Sequence, residues 1–123
     1  MTLADSNLLI YAIQPQYARL RTWFSETLPA VSVISRVEVL GWHRLSAAER
    51  DVFDVLFASL EIVQPTPATF ESAIRLKQAR KMTLGDALIA ATALEHGLTL
   101  ATRNGDDFRH VDGLALFDPL ASG

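Results

Sequence analysis

The chain predicts an α/β fold built on one parallel sheet. Three observations carry this. Short apolar runs alternate with longer segments of helical periodicity, which is the pattern of strand–helix–strand units. The short runs are continuously apolar rather than alternating, as strands covered on both faces are. At 123 residues, half of them hydrophobic, the chain suits one domain, 1–123, with a genuine core. The expected architecture is a central parallel sheet of about five strands flanked by helices.

The elements follow in order. Leu3-Ala4 is a short first strand opening into a helix over Asn7–Ile13, broken by Gln14-Pro15. Tyr17 to Leu28 reads as an amphipathic helix, with Tyr17, Leu20, Phe24 and Leu28 on one face and Pro29 as its stop. Ala30–Ile34, rich in β-branched residues, is the second strand. Ser35 then opens a helix that reaches Arg44 and includes Trp42. Ser46 opens another, with Val52, Phe53, Leu56, Phe57 and Leu60 as its buried stripe. Glu61–Val63 is a third strand, and Pro65-Thr66-Pro67 is a turn into a helix ending near Arg80. Thr83 starts a helix through Leu94, and Gly97 is its left-handed cap. Leu98–Thr102 and Leu114–Phe117 are the last two strands.

Composition excludes several classes. There is no cysteine, so disulfides and thiolate metal sites are ruled out. The N-terminus lacks the basic and apolar regions of a signal peptide, and no apolar run reaches the ~20 residues of a membrane span, so a cytoplasmic protein with no membrane partner is expected. A net charge of -3 gives no global attraction to nucleic acid; such binding requires a local patch or a metal ion. His43, His96 and His110 are isolated and lack zinc-type spacing. No Gly-x-Ser-x-Gly elbow, Walker loop or Gly-x-Gly-x-x-Gly motif occurs.

Four acids carry the chemical signal. Asp5 ends the first strand. Glu38 lies one turn past the second, and Asp107 follows the fourth. Asp86 precedes strand four, but a helix feeding a parallel strand runs antiparallel to it, so its start also lies at the carboxyl edge of the sheet. All four map to one rim. Each has a structural reading too. Ser35-Arg36-Val37-Glu38 has the form of a capping box, and Thr83-Leu84-Gly85-Asp86 resembles it. Asp5 suits an N-cap, and Asp106 and Asp107 suit a turn. Gathered together, the carboxylates repel unless a cation joins them, and a hard divalent ion, Mg²⁺ or Mn²⁺, is the natural partner. Such an ion orients and activates water and offsets charge on a phosphate, which points to phosphodiester hydrolysis. Ser6, Asn7, Thr102 and Asn104 are the supporting polar groups. Arg36 and Arg103 are the candidate phosphate contacts, within a wider set of Arg44, Lys77, Arg80, Lys81 and Arg109 whose shared face the sequence does not fix.

Four segments, Asp5-Ser6-Asn7-Leu8-Leu9-Ile10-Tyr11-Ala12, Ser35-Arg36-Val37-Glu38-Val39-Leu40-Gly41, Gly85-Asp86-Ala87-Leu88-Ile89-Ala90-Ala91-Thr92-Ala93 and Leu100-Ala101-Thr102-Arg103-Asn104-Gly105-Asp106-Asp107-Phe108, occur in an order and spacing that is specific. On them the whole chain resembles a PIN-domain ribonuclease of the VapC toxin type, one half of a bacterial toxin–antitoxin pair. The resemblance implies a PIN-like fold and an endoribonuclease dependent on Mg²⁺ or Mn²⁺. Asp5, Glu38 and Asp86 match the three main acidic positions. For the fourth, Asp107 matches the acid before the aromatic and is preferred, while Asn104 matches a position that is Asn or Asp in relatives and is the alternative, otherwise a supporting residue. It further implies a homodimer, a cognate VapB-type antitoxin, and products with 3′-hydroxyl and 5′-phosphate ends. Relatives cut transfer or ribosomal RNA, and nothing in the chain selects one. The segment Tyr17 to Phe24 is a candidate apolar interface, with core packing as the alternative.

Two other readings compete. A phosphoryl-transfer protein on a similar sheet also has an Asp after strand one. The phosphatase pattern requires a second Asp where Asn7 stands, and a receiver requires an acid after strand three and a late lysine that are absent. A catalytically silent PIN-like interaction module needs none of the four acids.

Overall fold

The computed structural model describes residues 1–121. β1 (Thr2–Ala4), β2 (Ala30–Ser32), β3 (Ile62–Val63), β4 (Thr99–Ala101) and β5 (Leu116–Phe117) form one sheet in the order β3-β2-β1-β4-β5, parallel throughout. Six α-helices connect them: α1 (Ser6–Ala12), α2 (Ala18–Thr27), α3 (Val33–Leu40), α4 (Ala47–Ala58), α5 (Pro67–Ala79) and α6 (Leu84–His96). The first strand is central, so its carboxyl end is the best-protected point on the rim.

The period-two alternation of the strands divides the core into two layers. Leu3, paired with Ala30 and Leu100, faces one layer; Ala4, paired with Val31 and Ala101, faces the other. The first layer is closed by α5 and α6, through Ala73, Ala87, Leu88, Ala90 and Ala91, with Phe108 and Val111. The second is closed by Leu8, Leu9 and Ala12 of α1, Leu20 and Phe24 of α2, Val39 of α3, and Phe53 and Phe57 of α4. Ala87, Ala90 and Ala91 are wholly buried, so α6 sits close against the sheet.

Local chemistry sets the boundaries. Thr83 caps α6 by accepting the Asp86 N–H, and Gly97 closes it at φ 63°. Ser46 and Glu49 form a reciprocal capping box on α4. α2 ends on Leu28 at φ 47°, a left-handed position taken by a residue with a side chain, ahead of Pro29.

Several expected boundaries shift. The second strand stops at Ser32, and Val33 and Ile34 are helical, because the Ser32 hydroxyl accepts the Ile34 N–H and starts α3 three residues early. Ser35 is therefore no cap. α3 ends at Leu40 with Gly41 as C-cap, leaving Trp42 outside the helix and half-exposed. Val52 does not belong to the buried stripe of α4; it is half-exposed, while Phe53, Phe57 and Leu60 are buried. Leu20 and Phe24, expected to border an interface, lie in the core, so core packing accounts for the inner face of α2. Among the described residues, no helix is long and apolar enough to cross a membrane.

Candidate functional site

Asp5 immediately follows β1, and its backbone N–H bonds the Ala101 carbonyl, fixing it at the sheet edge between β1 and β4. Its carboxylate is almost fully buried and caps α1 by accepting the Leu8 N–H at 2.9 Å. Burial pushes its pKa up. The Thr102 hydroxyl and the Leu8 N–H oppose that shift, while the charges of Asp86 and Glu38 add to it. Thr102 is itself buried and accepts the Asn104 N–H at 2.9 Å. The same hydroxyl thus braces Asp5 and shapes the loop after β4.

Glu38 lies in the last turn of α3, not at its N-terminal cap. Its Oε1 accepts a 2.6 Å hydrogen bond from Ser6, whose hydroxyl is also hydrogen-bonded to the buried Ser35 at 2.9 Å. The same carboxylate rests on Gly85 of α6: a Cβ there would stand 2.5 Å from Glu38 Oε2. Ser6, Ser35 and Gly85 together place Glu38 against the first turn of α6, beside Asp86.

Asp86 is the third helical residue of α6, where its charge is favoured by the helix N-terminus. Burial still raises its pKa, Asp107 and Glu38 raise it further, and Thr83 lowers it. Asp107 lies in a 3₁₀ turn, Gly105–Asp107, its N–H bonded to the Asn104 carbonyl. The turn is anchored by Phe108, which is 2 % exposed. Asp106, next in sequence, pairs instead with Arg109.

The four acids therefore occupy one rim, linked by the mutual electrostatic effects of Asp5 with Asp86 and Glu38, and of Asp86 with Glu38 and Asp107. They are not drawn into a common coordination shell: among the described residues, no group of three acidic or histidine side chains is arranged to hold a metal ion. Asp5 is directed to Leu8, and Glu38 to Ser6. Each stays within the field of at least one other without sharing one point.

The supporting residues divide. Ser6 and Thr102 serve the acids themselves. Asn104 begins the turn that carries Asp107. Asn7 is exposed on α1. Arg36 is exposed on α3, whereas Arg103 lies over the Tyr17 ring at 5.8 Å and 4.0 Å from Asp118, and lines a small cleft with Asn104 and Asp107. A cleft of about 500 Å³ opens beside Asp86 and Asp107, lined also by Arg80, Lys81, Met82, Thr83, Asp106 and His110. Two roles were not legible in the sequence. Ser35 reads as a helix cap and Gly85 as an inner position of the cap-like Thr83–Asp86 segment, whereas the structure sets Ser35 against Ser6 and Gly85 against Glu38.

The family model described as PIN domain matches residues 2–114. The chain belongs to the PIN-domain family. This PIN domain resembles a toxin–antitoxin complex from Klebsiella pneumoniae at 25% identity and TM-score 0.78, covering 99% of this chain and 100% of that one. It superposes on a DNA-bound VapBC from Salmonella typhimurium at TM-score 0.82 and 23% identity, covering 96% and 97%. For VapBC-1 from nontypeable Haemophilus influenzae the TM-score is 0.81 at 20% identity, covering 98% of each chain. No curated protein sequence matches. The rim built by Asp5, Glu38, Asp86 and Asp107 belongs to a PIN fold that spans nearly the whole of this chain.

Proposed function

We propose that this PIN domain is the toxin of a VapBC-type toxin–antitoxin pair and acts as an endoribonuclease dependent on Mg²⁺ or Mn²⁺. The observation that carries the reading is the rim itself: four carboxylates from four segments, two of them, Asp5 and Asp86, with pKa values raised by burial and by the charges of neighbouring acids. Such a set stores repulsion that a protein has little reason to keep unless a cation relieves it.

The donor set fits a hard divalent ion, being all oxygen and free of thiolate, with no histidine among the four. Asp5, Glu38, Asp86 and Asp107 would hold it. When bound, the ion would offset negative charge on the scissile phosphate and lower the pKa of a water. The chain's own residues do the rest. Leu8 N–H and Thr102 hold Asp5 in place at the end of β1, and Ser6 and Gly85 fix Glu38. In the reaction, water oxygen bonds to phosphorus and the P–O3′ bond breaks. The departing oxygen gains a proton, leaving 3′-hydroxyl and 5′-phosphate ends.

An antitoxin partner is supported by the toxin–antitoxin complexes among the structural neighbours. A cleft of about 680 Å³ between α2 and α4, lined by Phe24, Leu28, Val52, Val55 and Leu56, is a surface such a partner would find. A homodimer and a cytoplasmic location belong to the same reading. The test is incubation of the purified protein with total RNA, with Mg²⁺, with Mn²⁺ and with EDTA. Cleavage in either metal, abolished by EDTA and by Asp86→Asn, supports the proposal. Cleavage that persists in EDTA contradicts it.

A further inference from the structure

Ser35 lies in the first turn of α3 but does not begin the helix. That task falls to Ser32, whose hydroxyl accepts the Ile34 N–H at 3.0 Å. Ser35 is wholly buried. A buried hydroxyl requires a hydrogen-bond partner, and alanine would suit the helix better. Among the described residues, the side chain that partners Ser35 is Ser6, at 2.9 Å and 29 residues away in sequence. Ser6 is the first residue of α1 and follows Asp5 directly. The contact therefore ties α1 to α3 at the rim.

Valence fixes the direction of the protons. Ser6 has one hydroxyl proton and two neighbours, Ser35 Oγ at 2.9 Å and Glu38 Oε1 at 2.6 Å. An ionised carboxylate has no proton to give. Ser6 therefore donates to Glu38, and Ser35 donates to Ser6. The chain runs one way, and each donor polarises the next. Its two ends share a helix face, because Ser35 and Glu38 stand one turn apart on α3, with Ser6 bridging them. The other carboxylate oxygen is bounded by Gly85, where a Cβ would stand 2.5 Å from Oε2. Glu38 is otherwise exposed, and a glutamate without such restraints keeps much rotamer freedom.

We infer that Ser35 is a positioning residue of the acidic rim: it locks Ser6 in the rotamer that holds Glu38 against the first turn of α6, ready for a divalent ion; this rests on the metal-dependent reading above. Being wholly buried, Ser35 touches neither ion nor RNA and acts only through Ser6. Without its proton, Ser6 Oγ loses its donor and the Ser6 hydroxyl is free to turn toward water. Glu38 then loses the restraint on Oε1. Ordering that side chain becomes a cost of binding the ion, and the affinity falls.

The test titrates Mn²⁺ calorimetrically into wild type, Ser35→Ala, Ser6→Ala and the double variant. Ser35→Ala lowers Mn²⁺ affinity about ten-fold, the loss expected when a residue that orients a ligand is removed. Ser6→Ala lowers it at least as much. Adding Ser35→Ala to Ser6→Ala costs nothing further, because the two act in series. Ser32→Ala is the control for helix stability: it removes the cap of α3, lowers Tm and leaves Mn²⁺ affinity unchanged. Thermal melts and circular dichroism verify folding. Ser35→Cys, which keeps the volume but is a weak donor, serves if the alanine variant is unstable. Three results, with wild type binding Mn²⁺, overturn the positioning role and leave the divalent-ion reading standing. They are unchanged affinity in Ser35→Ala, a Ser35→Ala loss that persists in the Ser6→Ala background, or an equal loss in Ser32→Ala. If wild type shows no saturable Mn²⁺ binding, both fall.

Discussion

Gly85→Ala separates the site from the fold. A methyl group at Gly85 would stand 2.5 Å from Glu38 Oε2 and 3.1 Å from its Cδ, whereas ordinary contact begins near 3.4 Å. The carboxylate must therefore retreat by about 0.9 Å. It can do so, because it is the end of a flexible side chain and Glu38 is exposed. Backbone strain is not involved, since Gly85 lies within the first turn of α6 and has no positive φ. Alanine in a helix gains up to about 1 kcal/mol over glycine. Disturbing the 2.6 Å Ser6–Glu38 bond costs about 1 kcal/mol. The two offset, and Tm should stay within about 4 °C of wild type. Activity should respond quite differently, because a misplacement of about 1 Å in a catalytic group costs about 10²-fold. The assay pairs a thermal melt with the initial rate of RNA cleavage in Mg²⁺. A variant that melts like wild type and also cleaves like wild type would refute the placement of Glu38 on the α6 turn.

Two further predictions concern Asp5. Burial and neighbouring charge raise the folded-state pKa values of Asp5 and Asp86 above the ordinary 3.8, so their protonated forms stabilise the fold. That contribution is fully present below the unfolded value and is lost as pH rises through the folded values. In EDTA, Asp5→Asn should melt higher than wild type at neutral pH, with a flatter fall in Tm as pH rises from acid to neutral; a variant that melts lower at neutral pH contradicts the repulsion. Thr102→Val removes the hydroxyl that braces Asp5 and accepts the Asn104 N–H. It should cost about 1–3 kcal/mol and move the acid limb of the cleavage pH profile upward, with Thr102→Ser restoring both; an unshifted profile in a folded Thr102→Val variant contradicts the role.

Much of this was legible because it depends on chain-level regularities. The continuous apolar runs Ala30-Val31 and Leu98–Ala101 marked buried parallel strands, and topology then carried Asp5, Glu38, Asp86 and Asp107 to one rim. What escaped depended on competition between near-equivalent local signals. Ser32 and Ser35 are both good caps, and only the register of β2 against β1 and β3 decides that Ser32 is used and Ser35 is buried beside Ser6. Val33 and Ile34 favour a strand by propensity, and the early cap overrides them. Val52 fits the helical stripe of α4 by spacing, yet lies at the edge of the apolar cleft rather than under α2. Gly85 gains meaning only from a residue distant in sequence, Glu38. No periodicity announces such contacts.

The central claim is that four separated carboxylates act as one divalent-ion site. Calorimetric titration of Mn²⁺ into wild-type protein and into Asp5→Asn, Glu38→Gln and Asp86→Asn measures this without reference to any substrate. Saturable binding by wild type, weakened at least about ten-fold by each single change, is expected of a shared site. Undiminished Mn²⁺ affinity in any of the three folded variants, or no binding by wild type at millimolar metal, would contradict it.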